Sequence, residues 1–375
     1  MNSPFIYGKT VRSKAFTNRK EEKERLTHNM RSSINTIVIS PRRWGKSSLV
    51  ENVVHDLANK DKNYKFVIID LFSINSEAEF LSLFAREILK ASTTKWEDFV
   101  KTTKSIFKKI IPKISMAVGP GEVSLEFDND EIIKHKDEIL NLPENISKYK
   151  KVKFVVCIDE FQDIKTFDKS HNFEKTLRSY WQRQKNTVYC LYGSKRHMMS
   201  EIFNDSSRPF FRFGDLLMLQ KIKRNEWIKY IQNSFRRTKK KISKSHADQI
   251  AERMKDHSWY VQQLAHYTWL RTKEEVNDKI LERAFNEIKN THIPFFQQVI
   301  HNLSGTQVNL LKAVLSMESK FTSTSVMEKY QLGTPNNVRK NIQTLKDKDI
   351  IDHYENGYIF LDPIIEYLFT EKVMA

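Results

Sequence analysis

Short apolar runs alternate with longer helical patterns between Ile34 and about Leu219. Five of these runs are nearly continuous in Val, Ile and Phe, which predicts strands buried on both faces of a parallel sheet. They are Thr36–Ser40, Lys65–Leu71, Lys153–Asp159, Thr187–Gly193 and Leu216–Leu219. The helical patterns between them include Ser47–Asn59, Ala78–Lys90 and Asn172–Gln184. Strands separated by helices build βαβ units, so the first half of the chain is predicted to be an α/β domain.

One stretch interrupts this alternation. Lys95–Lys113 has a basic amphipathic pattern, which is typical of a solvated helix face and also suits an arm for a partner or a nucleic acid. Two short runs, Ile114–Val118 and Glu122–Phe127, then flank a Gly-Pro-Gly turn and predict a hairpin.

Strand patterns stop at Lys221, and the rest of the chain is mainly helical. The first four helical patterns are Arg224–Arg237, Ser243–Lys255, Trp259–Lys273 and Asn277–Lys289. From about Pro294 three short helices and two strand-like runs follow, at Thr306–Ser316, Thr324–Tyr330, Pro335–Asp347, Ile350–Tyr354 and Tyr358–Leu361. An Asn-Gly pair between the two runs is a strong hairpin signal, because both residues tolerate positive φ. Three helices and a hairpin predict a winged helix-turn-helix.

We therefore expect three domains, at residues 1–220, 221–292 and 293–375. The most basic stretch, Arg236–Lys244, falls in the second of them. It is expected to be an exposed loop or helix end, and contact with nucleic acid is the alternative.

Composition narrows the class of protein. The 375 residues are 39% hydrophobic and 29% charged, and no apolar run approaches the roughly 18 residues that span a bilayer. The first residues lack the apolar segment of a signal peptide, so we expect a cytoplasmic protein without membrane insertion. The net charge of +17 attracts polyanions and also suits a protein that holds a triphosphate, so charge alone does not choose between these.

A phosphate-binding loop follows the first predicted strand. The residues are Ser40, Pro41, Arg42, Arg43, Trp44, Gly45, Lys46, Ser47 and Ser48, and a helix begins near Ser47. In this strand–loop–helix context, backbone amides and the helix N-terminus point at the phosphates. Lys46 would reach the β- and γ-phosphates and the Ser47 hydroxyl would coordinate Mg²⁺. Ser40 stands where the usual motif opens with Gly, and Gly45 would let the backbone approach the phosphates closely.

An acidic pair ends the strand Lys153–Asp159. Asp159 would hold Mg²⁺ from the tip of the strand, and Glu160 would orient and deprotonate the attacking water. Two solvated acids capping a strand are the alternative.

Other polar residues follow the later strands. Ser194, after Thr187–Gly193, would sense the γ-phosphate or position the water. Either Arg208 or Arg212 would serve as an arginine finger, in the same chain or across an oligomer interface, and a surface or salt-bridged arginine is the alternative.

These motifs resemble the archaeal-type ATPase family within the AAA+/STAND group of P-loop proteins. The most specific match is Ser40–Leu49, which is similar to the family's "PRRxGK" loop, and Ile158–Phe161 is similar to its acidic motif. Phe16–Glu22 resembles the opening "F-x-G-R-x-x-E", with Asn18 in place of Gly. Asp256–Ala265 resembles "GHPYYLQLLA", with Asp256 and Ser258 in place of Gly and Pro.

The resemblance implies an α/β fold class: a P-loop parallel sheet flanked by helices, AAA+-like, then an all-α lid and a winged helix-turn-helix domain. It implies ATP as the nucleotide, bound with Mg²⁺ in the cleft between sheet and lid. Phe16 and Arg19 would lie near the base, and His257 would approach the phosphates from the lid.

The helix predicted at Pro335–Asp347 suits DNA recognition. Thr334 is a good N-cap and Pro335 a good first residue, with Val338, Ile342 and Leu345 as the buried stripe. Four residues would face outward, of types that reach base edges or phosphates: Asn336, Asn337, Lys340 and Gln343. The turn at residues 356–357 would add a backbone contact. Glu355, Asp347, Asp349 and Asp352 oppose this, because they repel phosphate.

Three functions therefore remain open. The first is a P-loop ATPase that couples Mg-ATP binding and hydrolysis to conformational change and acts with double-stranded DNA through its winged helix. The second is a STAND-like signalling switch whose winged helix is a regulatory or protein-binding module, acting on a protein partner or a second copy of the chain. The third is a nucleotide-binding protein with negligible turnover.

Overall fold

The computed structural model of the chain describes residues 2–11, 16–92, 113–116, 123–126, 129–354 and 357–374. It divides into two compact units. Arg19–Gln220 forms one, and Met1–Asn18 together with Lys221–Ala375 forms the other. The division into three domains at residues 220 and 292 stays a prediction.

A five-stranded parallel sheet organises the unit Arg19–Gln220. Its strands are β1 (Thr36–Ile39), β2 (Tyr64–Asp70), β5 (Lys153–Asp159), β6 (Thr187–Gly193) and β7 (Asp215–Met218), and they lie in the order β2-β5-β6-β1-β7. All seven residues of the central β6 are buried, whereas the edge strand β2 exposes Ile68 and Asp70. The predicted fold class is confirmed, since each apolar run forms a strand of one parallel sheet flanked by helices.

Helices cover this sheet. They are Lys20–Arg31, Lys46–Lys60, Glu77–Ser92, Asn129–Lys134, Lys136–Leu140, Leu142–Lys150, Asn172–Trp181 and Arg196–Asn204, with a 3₁₀ turn at Phe161–Thr166. Aromatic side chains fill the core, and Trp181 stacks on Tyr189 with ring centroids 4.2 Å apart. Large buried rings of this kind contribute much of the apolar area that stabilises the domain.

The interruption predicted between β2 and β5 is partly described. Strands β3 (Lys113–Met116) and β4 (Val123–Glu126) form the antiparallel pair expected there. Residues 95–112 of the basic amphipathic pattern and the Gly-Pro-Gly turn lie outside the described residues.

The second unit contains the helical segment and the winged helix. Its helices are Arg224–Arg237, Lys244–Arg253, Ser258–Arg271, Asp278–His301, Gly305–Leu315, Thr324–Lys329, Pro335–Asp347 and Pro363–Phe369, followed by a π-helical turn at Thr370–Met374. Strands β8 (Ile351–Tyr354) and β9 (Gly357–Phe360) pair as the predicted hairpin, and Asn356 of its turn lies outside the described residues. None of the helices in the described ranges has the length and apolar character that crossing a bilayer requires.

One predicted helix end is wrong. The pattern Asn277–Lys289 predicts a helix that ends before Pro294, but a single helix runs from Asp278 to His301 with that proline inside it. Proline removes one helical N–H and normally breaks or kinks a helix. Here Ile288 and Phe296 are both buried, at a spacing that keeps them on one face. Packing of this continuous apolar stripe offsets the lost hydrogen bond.

Candidate functional site

The loop after β1 forms an abrupt entry into the helix Lys46–Lys60. Gly45 is the N-cap residue, with φ +95°, in a region that L-amino acids rarely adopt. A Cβ on Gly45 would meet nothing within 4 Å, so the backbone angle rather than space requires glycine. The amide dipoles of the first turn point into the loop, and Gly45 has no side chain that could cap them.

Lys46 and Ser47 lie against Asp159 at the tip of β5. The Lys46 ammonium donates to Asp159 Oδ1 at 2.5 Å and the Ser47 hydroxyl donates to Asp159 Oδ2 at 2.7 Å. Lys46 is 6% exposed, and its Nζ lies 5.0 Å from the centre of the Tyr192 ring. The structure thus brings together the lysine, hydroxyl and first carboxylate that the sequence predicts for a phosphate and magnesium site.

Strand β6 lies between β1 and β5, and this order places Ser194 beside the second carboxylate. The backbone amide and hydroxyl of Ser194 donate to Glu160 Oε2 at 3.0 and 2.8 Å. Gln162 Nε2 donates to the same oxygen at 2.7 Å. Glu160 itself has φ +49°, a left-handed conformation that is strained for a non-glycine residue. Three donors to one oxygen hold the carboxylate in this geometry.

The two carboxylates differ in electrostatic environment. Burial raises the pKa of Asp159 above its usual value, although Lys46 and Ser47 oppose the rise. Burial also acts to raise the pKa of Glu160, but the Lys46 charge and the hydrogen bonds from Gln162 and Ser194 outweigh it, so this pKa lies below its usual value. Glu160 is therefore a carboxylate at neutral pH, with Oε1 3.7 Å from the Lys46 ammonium.

Gln162 is a site residue that the sequence analysis missed. It is fully buried, in the 3₁₀ turn after β5, and its contact with Glu160 depends on the close approach of Gly193. A Cβ on Gly193 would lie 2.0 Å from Gln162 Oε1 and 2.6 Å from Met199 Sδ. No sequence pattern marks the close approach of Gly193 to Gln162, because these two residues are far apart in the chain.

We expect Gly193→Ala to lower the free energy of unfolding by about 1–3 kcal/mol, since the methyl group overpacks a filled space. Gly305→Ala is the control, because a Cβ there meets nothing within 4 Å. That substitution should be neutral or slightly stabilising. Urea denaturation of both variants measures the difference, and equal stabilities would contradict the packing argument.

The other loop residues surround this cluster. Arg42 Nε donates to Ser194 Oγ at 3.3 Å, while Arg43 is exposed with φ +64°. Four residues are buried: Ser40, Pro41, Trp44 and Ser48. Arg19 is also buried, and its guanidinium donates to the backbone oxygens of Trp44 at 3.1 Å and Gln220 at 2.6 Å. Arg19 therefore holds the loop by its backbone, and its predicted role near the base stays a prediction.

Phe16 and His257 belong to the other compact unit. His257 is buried at the N-cap of the helix Ser258–Arg271, and its ring centre lies 5.0 Å from that of Tyr260. The predicted nucleotide contacts of Phe16 and His257 stay predictions.

The two candidate arginine fingers occupy different environments. Arg208 is buried, donates to Glu174 Oε1 at 2.6 Å and lies 2.5 Å from His171 Nε2. Arg212 is exposed, has φ +52° and packs its guanidinium 5.0 Å from the Phe211 ring centre. Arg208 is thus the salt-bridged arginine that the sequence analysis gave as the alternative. Arg212 is the candidate whose guanidinium is exposed.

The winged helix presents the surface that the sequence predicts. Thr334 caps the helix Pro335–Asp347 by accepting from the Asn337 amide at 3.3 Å, and Val338 and Leu345 are buried. The four outward residues are exposed: Asn336, Asn337, Lys340 and Gln343. Gln343 Nε2 donates to Asp347 at 2.8 Å, so this side chain is engaged within the helix.

Comparisons with known proteins agree with this architecture. Residues 294–371 match the family model of a probable winged helix domain. No curated protein matches the chain.

Solved structures resemble the chain over nearly its whole length. A Walker-type ATPase of Pyrococcus abyssi is 16% identical with a TM-score of 0.64, covering 97% of this chain and 99% of that chain. The ORC2 protein of Aeropyrum pernix, solved as ADPNP-ADP complexes, is 13% identical with a TM-score of 0.57, covering 99% and 97%. The ORC1 protein of Aeropyrum pernix, in complex with DNA, is 11% identical with a TM-score of 0.50, covering 96% and 94%. At these identities the likeness shows the fold, and the resemblance stated from the sequence is confirmed at that level.

Proposed function

We propose that this chain binds Mg-ATP and hydrolyses it. The observation that supports the proposal best is the convergence of Lys46, Ser47, Asp159 and Glu160 at the start of one helix, within 3.7 Å of the Lys46 ammonium or the Asp159 carboxylate. A lysine for the phosphates, a hydroxyl and a carboxylate for Mg²⁺ and a second carboxylate for the attacking water are groups that recur in enzymes that transfer a phosphoryl group to water.

The residues present fit a magnesium nucleotide. A serine hydroxyl and an aspartate carboxylate are hard oxygen donors, which Mg²⁺ prefers. The helix N-terminus at Gly45 favours negative charge, and Lys46 adds a buried cation. A bound Mg²⁺ would neutralise charge on the phosphate oxygens. Lys46 would exchange its bond to Asp159 for the phosphates, and Ser47 and Asp159 would hold the metal.

Glu160 is positioned to orient a water molecule. Its Oε2 is held by Ser194 and Gln162, which leaves Oε1 to accept a proton from water. Arg42 bonds to Ser194, and thereby connects the loop to this carboxylate. Arg212, exposed on the same unit, would supply the arginine finger across an interface between two copies of the chain.

ATP binding by Lys46→Ala tests the proposal. We expect the variant to bind ATP at least about tenfold more weakly, since it loses a charge-assisted contact worth about 1.5–3 kcal/mol. Lys60→Ala is the matched control, because Lys60 is an exposed lysine at the end of the same helix. Calorimetric titration of wild type and both variants with ATP and Mg²⁺ measures the effect. Equal affinities in all three proteins would contradict the assignment of Lys46.

We further propose that the protein acts on double-stranded DNA and couples this action to ATP binding and hydrolysis. The exposed Asn336, Asn337 and Lys340 on the helix Pro335–Asp347 support this, as does a similar fold solved in complex with DNA. Stimulation of ATP turnover by duplex DNA is the expected result. Turnover that ignores DNA would favour the second candidate function.

That second candidate is a STAND-like switch whose winged helix contacts a protein. Residues 293–375 contain eight Lys and Arg against nine Asp and Glu, and this lack of net positive charge disfavours phosphate contact by the winged helix. This candidate requires that the chain binds a protein partner only when ATP is bound. It also requires that duplex DNA does not change the rate of ATP turnover.

A further inference from the structure

The positive charge of the second compact unit is concentrated in one short stretch. Residues 221–244 contain ten Lys and Arg and a single Glu, in contrast to the acidic balance of residues 245–375. A run of cations is usually a solvated face whose members pair with nearby carboxylates. The contacts of these side chains distinguish such a face from a binding surface.

Some of the ten cations are engaged within the protein. Arg224 bonds to Asp256 at 2.6 Å, and Lys229 pairs with Glu226 at 3.1 Å. Lys240 lies 3.9 Å from the ring centre of Trp269 and donates to the Trp269 backbone oxygen. Arg224 and Lys240 are thereby engaged within the unit, whereas Lys229 is exposed and forms only a surface ion pair.

Within residues 236–244, five others are exposed, and no carboxylate of the described residues pairs with them. These are Arg236, Arg237, Lys239, Lys241 and Lys244, which we call the basic surface. Arg237 donates to Ser234 Oγ, and Lys241 meets the acidic Glu274 only through its backbone. Their charges are therefore not neutralised within the described chain.

The basic surface continues into a groove. Arg236 and Arg237 line an open space of about 610 Å³ together with Thr17, Asn18, Tyr230, Asn233 and the Glu226–Lys229 ion pair. Hydroxyls and amides beside guanidinium groups are the donors that proteins offer to phosphate oxygens. The dipole at a helix C-terminus explains cations in its last turn, but it does not explain the three lysines that follow.

We propose that the basic surface binds the phosphate backbone of double-stranded DNA, and that it supplies more of the DNA affinity than the outward face of Pro335–Asp347. This deepens the proposed action on DNA and rests on it. Phosphate contacts carry no base information, so this binding does not depend on DNA sequence.

The character of the surface favours a duplex over two other polyanions. Single strands are held by stacking bases on exposed aromatic rings, but Trp227, Tyr230 and Phe235 of this stretch are buried. Basic helices that bind membranes also insert large apolar side chains, and none in residues 221–244 is exposed. What remains is a cationic, polar surface suited to a regular phosphate array.

Neutralising four of these cations tests the proposal. The variant carries Arg236→Gln, Lys239→Gln, Lys241→Gln and Lys244→Gln. The matched control removes one arginine and three lysines that are also exposed and pair with no described carboxylate, through Arg283→Gln, Lys279→Gln, Lys320→Gln and Lys372→Gln. Both proteins have the same net charge, so a difference between them reports position and not total charge.

Binding of the full chain to a short duplex of arbitrary sequence is measured between about 50 and 200 mM salt. Each lost phosphate contact lowers the slope of log affinity against log salt by about 0.9, so the basic-surface variant should lose up to about 3.6. At the lower salt it should bind at least about tenfold more weakly than the control variant. A midpoint temperature of thermal unfolding equal to that of the wild type would show that both variants are folded.

Several outcomes would overturn the proposal. The first is equal affinity of the two variants for the duplex. The second is a larger loss of duplex affinity from Lys340→Ala alone than from the basic-surface variant. The third is tighter binding of the wild type to vesicles of phosphatidylserine and phosphatidylcholine than to the duplex. The proposed ATPase fails separately: a wild type that binds the duplex through this surface but neither binds nor hydrolyses ATP would contradict only that function.

Discussion

Glu160→Gln is expected to lower ATP turnover by at least about 100-fold while ATP affinity stays within about threefold of wild type. Oε2 of Glu160 accepts hydrogen bonds from Ser194 and Gln162, so the amide oxygen of a glutamine would occupy that position. The amide nitrogen would then replace Oε1, where it cannot accept a proton from water. The variant keeps the positioning of the side chain and loses its basicity.

Single-turnover hydrolysis and equilibrium nucleotide binding separate these two effects. Glu24→Gln is a suitable control, because Glu24 is an exposed carboxylate of the same unit, 4.0 Å from Lys20. Normal turnover in Glu160→Gln would show that another group activates the water. Loss of ATP binding would instead assign Glu160 a structural role.

The strand-end chemistry of this site was predictable because it is local. Lys46 and Ser47 follow an apolar strand directly, and Asp159 ends another, so the general rule that parallel strands end at one edge of a sheet places them together. The same rule placed Ser194 at that edge. The placement of these residues depends on where the buried strands end and on the strands being parallel. The hydrophobic pattern reveals both, because it shows buried strands that alternate with helices.

Other features depend on contacts between distant residues. The left-handed backbone of Glu160 persists because Gln162 and Ser194 bond to its carboxylate, and Gln162 fits only because position 193 lacks a Cβ. Pro294 lies inside a helix because of packing on both sides of it. Residue propensities do not contain this information, since tertiary packing overrides them.

The environment of Arg208 leads to the second large effect. At about pH 8, Arg208→Met should lower the free energy of unfolding by about 3–5 kcal/mol, because the fully buried Glu174 carboxylate then lacks its arginine partner. Arg212→Met changes an exposed side chain, so the free energy of unfolding of this variant should stay within about 0.5 kcal/mol of wild type. Its ATP turnover should fall, because Arg212 is the proposed arginine finger. Adding Glu174→Gln to Arg208→Met should recover part of the loss, because no buried charge then remains.

The pH dependence of unfolding identifies the cause of the Arg208→Met effect. Burial raises the pKa of Glu174 to about 7 even with Arg208 opposing it, and removal of Arg208 should raise it further. A carboxyl whose pKa is higher in the folded state binds more protons there, so stability falls as pH rises from the unfolded pKa through the folded one. The variant should therefore be closer to wild type at about pH 5 than at about pH 8, and an equal loss at both would show that Arg208 stabilises the unit by packing alone.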